Sequence, residues 1–210
     1  MSDLIRALDL QDITLAGQNW GGPVVGLAAA MNPERFTGAV FSNTYLRLLR
    51  KPPKVTPYFR FANMPLIADV AFRLLNLPLP LLTWVQGDPK SIGRREKRAY
   101  RYPLRALRDR TAPLALTRMV PTTLEHPTIA ELALVDRWAR AFAKPVELLW
   151  GCKDPILGEA WRVNRNLLPD ANVPKTSAGH YLQEEVPEDI ANAIQRVLAA
   201  DRLFTRPPKK

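Results

Sequence analysis

Three side chains of this chain are of the types that hydrolytic chemistry uses, and each lies just past a short apolar run. Asn19 stands in AGQNWGGP (16–23), Asp154 in LLWGCKDPILG (148–158) and His180 in SAGHYLQEE (177–185). A histidine held by a carboxylate can take a proton from water. A residue on a sharp, glycine-flanked turn can present its side chain to a bound molecule. The chain order is nucleophile position, acid, base. The turn residue is an amide, however, and a neutral amide oxygen is far less nucleophilic than a carboxylate. These residues predict a hydrolase-type site whose reacting position is blunted.

The elements that must carry them can be read from periodicity. Residues 13–17 (ITLAG) predict a buried strand, and residues 20–31, apolar and Ala-rich, a buried helix that Asn32 and Pro33 end. Residues 36–43 (FTGAVFSN) predict a second buried strand. From about 45 to 142 prolines recur between amphipathic pieces such as 66–76 and 131–142, which predicts a helical insertion. Strand–helix alternation resumes with a strand at 145–151, a helix at 158–168, a short edge strand within 172–180 and a closing helix at 187–200. The expected fold class is α/β: the C-terminal portion of a mostly parallel sheet with an inserted helical cap. The expected divisions are a first core part at 1–46, a cap at 47–135, a second core part at 136–203 and a basic tail at 204–210. Asn19, Asp154 and His180 then share the rim at the carboxyl ends of the strands, where open α/β sheets bind ligands. Gly17, Gly21 and Gly22 are expected to permit the tight turn.

Composition bounds the rest. With 47% apolar and 24% charged residues over 210 positions, the chain forms a core and is not disordered. The longest apolar run, 78–85, is far too short for a membrane span, and MSDLIRALDL lacks the basic start of a secretory signal. A cytoplasmic location follows as the default. The only cysteine, Cys152, allows no intrachain disulfide and is expected to pack as a small hydrophobe. The net charge of +10 is spread over 51–54, 93–101, 105–110 and 206–210 without a nucleic-acid motif, so solvated helix faces are expected rather than a nucleic-acid surface. His126, the second histidine, precedes Pro127 inside the insertion and reads as structural.

At these residues a family resemblance appears. GQNWGGP resembles GQDWGG, the nucleophile elbow of haloalkane dehalogenases in the α/β-hydrolase fold. The likeness continues through NPERFTGAVFSNT (32–44), REKRAYRYPL (95–104), WGCKDPILG and AGHYLQEE. It implies attack by a carboxylate at position 19 on a halogen-bearing carbon of a small apolar substrate, then hydrolysis of the ester by water activated by His180 and oriented by Asp154. It implies halide held by the Trp20 indole and a second donor, for which Trp84 is the candidate, with the Trp20 backbone N–H facing the oxyanion. No metal or organic cofactor is implied.

The chain departs from the pattern in two places. Asn19 replaces the acid. The family also has several strands and an HG-type motif ahead of the elbow strand, whereas only twelve residues precede Ile13 and no HG dipeptide occurs. The expectation is therefore an N-terminally truncated hydrolase, impaired as written, with its elbow strand an exposed edge open to association. Two other readings stay open. One is an epoxide hydrolase-like enzyme, which would use cap tyrosines such as Tyr100 and Tyr102. The other is a non-catalytic fragment that binds a small apolar ligand or a partner chain.

Overall fold

A computed structural model describes residues 1–51 and 54–205, the last four by backbone alone. Its elements in chain order are α1 (Ser2–Ala7), β1 (Ile13–Gln18), α2 (Gly21–Ala30), β2 (Phe36–Ser42), α3 (Pro57–Ala62), α4 (Ile67–Arg73), α5 (Arg94–Arg101), α6 (Thr111–Arg118), α7 (Thr128–Ala141), β3 (Val146–Gly151), α8 (Trp161–Leu167), β4 (Lys175–Thr176), α9 (Leu182–Glu185) and α10 (Pro187–Thr205). The strands form one parallel sheet in the order β1-β2-β3-β4. The strand–helix alternation read from the sequence is thus the architecture.

Period-2 alternation decides what each strand residue meets. Ala39 and Phe41 of β2, with Leu148 and Trp150 of β3, join the core formed with α2, α7 and α8. The intervening Val40 and Leu149 face α10 through Ala193 and Val197. Every residue of β2 is buried, as expected of a central parallel strand covered on both faces. Small residues let the layers close: a Cβ on Gly26 of α2 would lie 3.0 Å from Val135 of α7. Glu147, buried on β3, pairs with Arg196 and ties α10 to the sheet.

The insertion has a small core of its own. Ala62, Ala68, Phe72 and Leu114 pack together from α3, α4 and α6. The boundary expected between 135 and 136 falls inside α7, because Val135, Trp138 and Ala139 of that helix are core residues. Through these residues α7 packs into the core against α2 and the sheet. The closing helix runs on to Thr205; the tail at 206–210 and the two prolines of the 51–54 cluster lie outside the described residues.

The first elements are less covered. Strand β1 pairs only with β2, so it is the sheet's edge among the described residues. Of the apolar residues of α1 and the turn after it, Ile5 is buried while Leu4, Leu8 and Leu10 are exposed. No helix among the described residues is long and apolar enough to cross a membrane.

Candidate active site

The loops that leave the four strands meet at one place. Asn19, the first residue past β1, takes a left-handed backbone with φ of 49°, unusual for a residue with a side chain. Its N–H donates to the carbonyl of Asn43 at 3.1 Å. Its own carbonyl accepts from Gly22 N–H at 3.1 Å and from the Thr44 hydroxyl at 2.6 Å. The turn is thus held from β2's loop as well as from its own helix. Two of its three glycines are required by space. A Cβ on Gly17 would lie 2.8 Å from Gly22 Cα, and one on Gly22 would lie 2.1 Å from Thr44 Oγ1. Gly21 corrects the expectation made for it: a Cβ there meets nothing within 4 Å.

His180 follows β4 and is 2% exposed. Its Nδ1 lies 2.8 Å from Asp154 Oδ2 and its Nε2 lies 2.9 Å from Asn19 Nδ2. An ionised carboxylate only accepts, so Nδ1 carries the proton and Nε2 presents its lone pair to the Asn19 amide N–H. The three residues singled out from the sequence therefore form one continuous hydrogen-bonded chain. Asp154 is 5% exposed; its Oδ1 accepts from Ile156 N–H at 2.7 Å and its Oδ2 also accepts from Asn43 Nδ2 at 2.7 Å. Burial pushes its carboxyl up. The bonds and charge from His180, with those from Ile156 and Asn43, outweigh this and hold it below the ordinary value.

Asn43, the residue past β2, is a site residue that the sequence reading missed. Fully buried at φ 35°, it donates to Asp154 and to Gly151 O at 3.0 Å, and its Oδ1 accepts from Gly151 N–H at 2.8 Å. It therefore orients the acid from the neighbouring loop. Asn164 of α8, also fully buried, supports this loop in turn: it donates to Thr44 O at 2.8 Å and accepts from Leu46 N–H at 3.2 Å. Gln18, noted only as a flank of the elbow, donates to the carbonyl of His180 at 2.8 Å.

The remaining expected positions separate. Trp20 is half-buried at the N-terminal cap of α2, next to Asn19. Trp84 is 69% exposed. It is neither a core residue nor a desolvated donor, and a halide has to be held away from water to be held well. Tyr100 donates to Glu184 at 2.9 Å and accepts from Gln183 at 3.1 Å; burial and the Glu184 carboxylate push its hydroxyl up to about 12. Tyr102 is exposed, with Arg105 over its ring at 3.9 Å. The two tyrosines thus engage different neighbours instead of converging on one point. His126 joins the end of α6 to the start of α7, its Nε2 3.0 Å from Arg118 O and its Nδ1 accepting from Thr128 N–H at 3.3 Å. Cys152 is exposed, against the expectation that it packs: it lies in the turn just past the end of β3, where the pairing that buries the strand has stopped. Among the described residues no group of three or more His, Cys, Asp or Glu side chains is placed to hold a metal ion.

Comparison with known proteins gives the same fold. The family model of the alpha/beta hydrolase fold matches residues 1–187. A haloalkane dehalogenase of Mycolicibacterium paratuberculosis is 26% identical over 192 residues, covering 89% of this chain and 60% of that protein. One of Psychrobacter cryohalolentis is 22% identical over 215 residues, covering 92% and 63%. The chain thus spans under two thirds of the length of these curated relatives. Among solved structures, the haloalkane dehalogenase DatA from Agrobacterium tumefaciens superimposes with a TM-score of 0.78 at 25% identity, covering 92% of this chain and 70% of that one. A loop variant of DbeA from Bradyrhizobium elkanii superimposes with a TM-score of 0.83 at 22% identity, covering 98% and 74%; this likeness bears on the fold alone.

Proposed function

Because the chain belongs to the alpha/beta hydrolase fold family and resembles its haloalkane dehalogenases, we propose that its site is built to hydrolyse a carbon–halogen bond through an ester on residue 19, and that Asn19 keeps that chemistry silent. The route has two steps. A carboxylate oxygen at position 19 forms a bond to the halogen-bearing carbon, and the halide leaves with its bonding electrons. His180 then takes a proton from water while the water oxygen adds to the ester carbonyl; collapse releases the alcohol and restores the carboxylate. Asp154 holds the imidazole with Nε2 free to accept. The Trp20 backbone N–H is the donor for the developing oxyanion and its indole the donor for the halide. Trp84 is too exposed to serve as the second halide donor.

The observation that carries this reading is the contact of 2.9 Å between Asn19 Nδ2 and His180 Nε2. A histidine at that distance supports reading residue 19 as the position that would carry the ester. It also gives the amide a second effect. Asn19 lacks the nucleophilic oxygen, and its N–H occupies the lone pair that would take the proton from water. The epoxide reading needs two converging hydroxyls, and Tyr100 and Tyr102 do not supply them.

The test is halide release from a short haloalkane by this chain and by Asn19→Asp, each alone and joined to the strands expected ahead of β1. The chain as it stands is expected to release none, and Asn19→Asp to release halide with the matching alcohol. Release at a normal rate, with Asn19 shown unmodified by peptide mass mapping, would overturn the reading. The open edge of β1 is read as an association surface, which predicts an elution volume that depends on protein concentration.

A further inference from the structure

The main chain around His180 is gripped by the cap, and one side chain ties the grip together. His180 N–H donates to Val85 O at 2.8 Å. Gln86, the next residue, is buried; its Oε1 accepts from Tyr181 N–H at 2.9 Å and its Nε2 donates to Tyr181 O at 3.3 Å and to Ser91 Oγ at 3.1 Å. Gly87 and Gly179 are pressed back to back, so that a Cβ on Gly179 would lie 2.3 Å from Gly87 N and one on Gly87 would lie 2.9 Å from Gly179 N. The Glu185 carboxylate spans this seam. Its Oε1 accepts from Gly87 N–H and Gly179 N–H, and its Oε2 from Asp88 N–H, each at 2.9 Å.

We propose that Glu185 is a positioning residue for the base, binding the cap segment 85–88 to the loop that carries His180 so that the imidazole is held on residue 19, with Gln86 as its auxiliary. Three features separate this from ordinary loop packing. The acceptor is a carboxylate, which holds amide N–H groups about twice as strongly as a neutral oxygen does. One of its donors is the N–H of Gly179, the residue immediately before His180. The two glycines allow backbones to meet where any other residue would force them apart. His180 is thus fixed at its N–H by the cap and at its carbonyl by Gln18 of the elbow strand.

The proposal rests on reading His180 as the base, so one readout is taken without turnover. In the full chain, the His180 Nδ1–H bonded to Asp154 is followed by proton and nitrogen NMR. Glu185→Gln keeps the shape but turns a donor toward a backbone N–H, and it is expected to speed exchange of that proton with water by about tenfold. Glu184→Gln removes the same charge one residue away, from a carboxylate that serves Tyr100, and is expected to leave the exchange rate unchanged. Gln86→Met removes both bonds to Tyr181 and is expected to act in the same direction as Glu185→Gln, so it carries the test if Glu185→Gln does not fold. In an Asn19→Asp background, Glu185→Gln should slow release of the alcohol while leaving the rate of ester formation alone, because the base acts only in the second step. A folded Glu185→Gln or Gln86→Met whose His180 signal and exchange match the parent would overturn the proposal. So would a Glu184→Gln variant that changes the signal as much. An altered signal together with no ester in the Asn19→Asp background would instead sink the reading of the reaction and leave the positioning role standing.

Discussion

The base side and the nucleophile side of this site are mounted to the same standard but equipped differently. On the base side, Asp154 accepts from His180, Asn43 and Ile156, and His180 is held along both its ring and its main chain. On the nucleophile side, the left-handed turn, the Thr44 bond and the glycine contacts are all in place, yet the group they present is an amide. Mounting is a property of backbone and neighbours, whereas reactivity resides in one functional group. On the proposed reaction, the mounting of residue 19 is kept while the group that would make the first step is not.

The largest effect that could break this contrast lies on the base side. In an Asn19→Asp background, Asp154→Asn is expected to lower turnover by about 10³–10⁴-fold, since the imidazole loses its orienting acceptor; steady-state halide release measures it. A loss below about tenfold would mean that Asp154 does not orient the base. Next comes Asn43→Ala, which strips a donor from Asp154 and an acceptor from Gly151 N–H in a fully buried place. A stability loss of about 2–4 kcal/mol is expected, read from denaturant midpoints.

The pH dependence sharpens the same point. Asp154 titrates lower in the folded chain than in the unfolded one, so the unfolded state binds more protons in acid. Its contribution to stability is fully present above the unfolded value of about 3.9 and is lost as pH falls through the folded value. Denaturant midpoints should drop in that window, and Asp154→Asn should flatten that limb. The smallest effects distinguish the elbow's glycines. Gly22→Ala, which must displace Thr44, is expected to cost about 1–3 kcal/mol, whereas Gly21→Ala should be neutral or stabilise by up to about 1 kcal/mol. Equal effects at both would remove the argument that close approach to Thr44 holds the elbow.

What could be read from the sequence follows the strand ends. Asn19, Asp154 and His180 were legible because each follows an apolar run that only a strand explains, and parallel strands deliver such residues to one rim. Asn43 stands at the end of FTGAVFSN with the same strand-end signal, but an Asn there is also an ordinary turn former, and only its contacts with Asp154 and Gly151 give it a role. Glu185 and Gln86 had no comparable signal: the bonds they make across the seam run to backbone groups 98 and 95 residues away in the chain, and only folding brings those together. The cap was legible as helical but not in its bounds. Helix α4 is shorter than the 66–76 pattern because Leu66 and Asn76 take positive φ of 63° and 56°. Trp84 shows the same gap from the other direction, since its apolar surroundings in sequence left it exposed in space.

The central claim, that residue 19 is mounted to receive an alkyl group but carries an amide where a carboxylate is needed, is tested most directly by trapping the ester. Asn19→Asp with His180→Gln keeps the nucleophile and removes the base that clears it. Incubated with a 1-haloalkane and examined by intact and peptide mass spectrometry, this variant is predicted to gain one alkyl group on residue 19, while the parent chain with Asn19 gains none. An Asn19→Asp, His180→Gln protein that folds and stays unalkylated, or a parent chain alkylated at Asn19, would contradict the account.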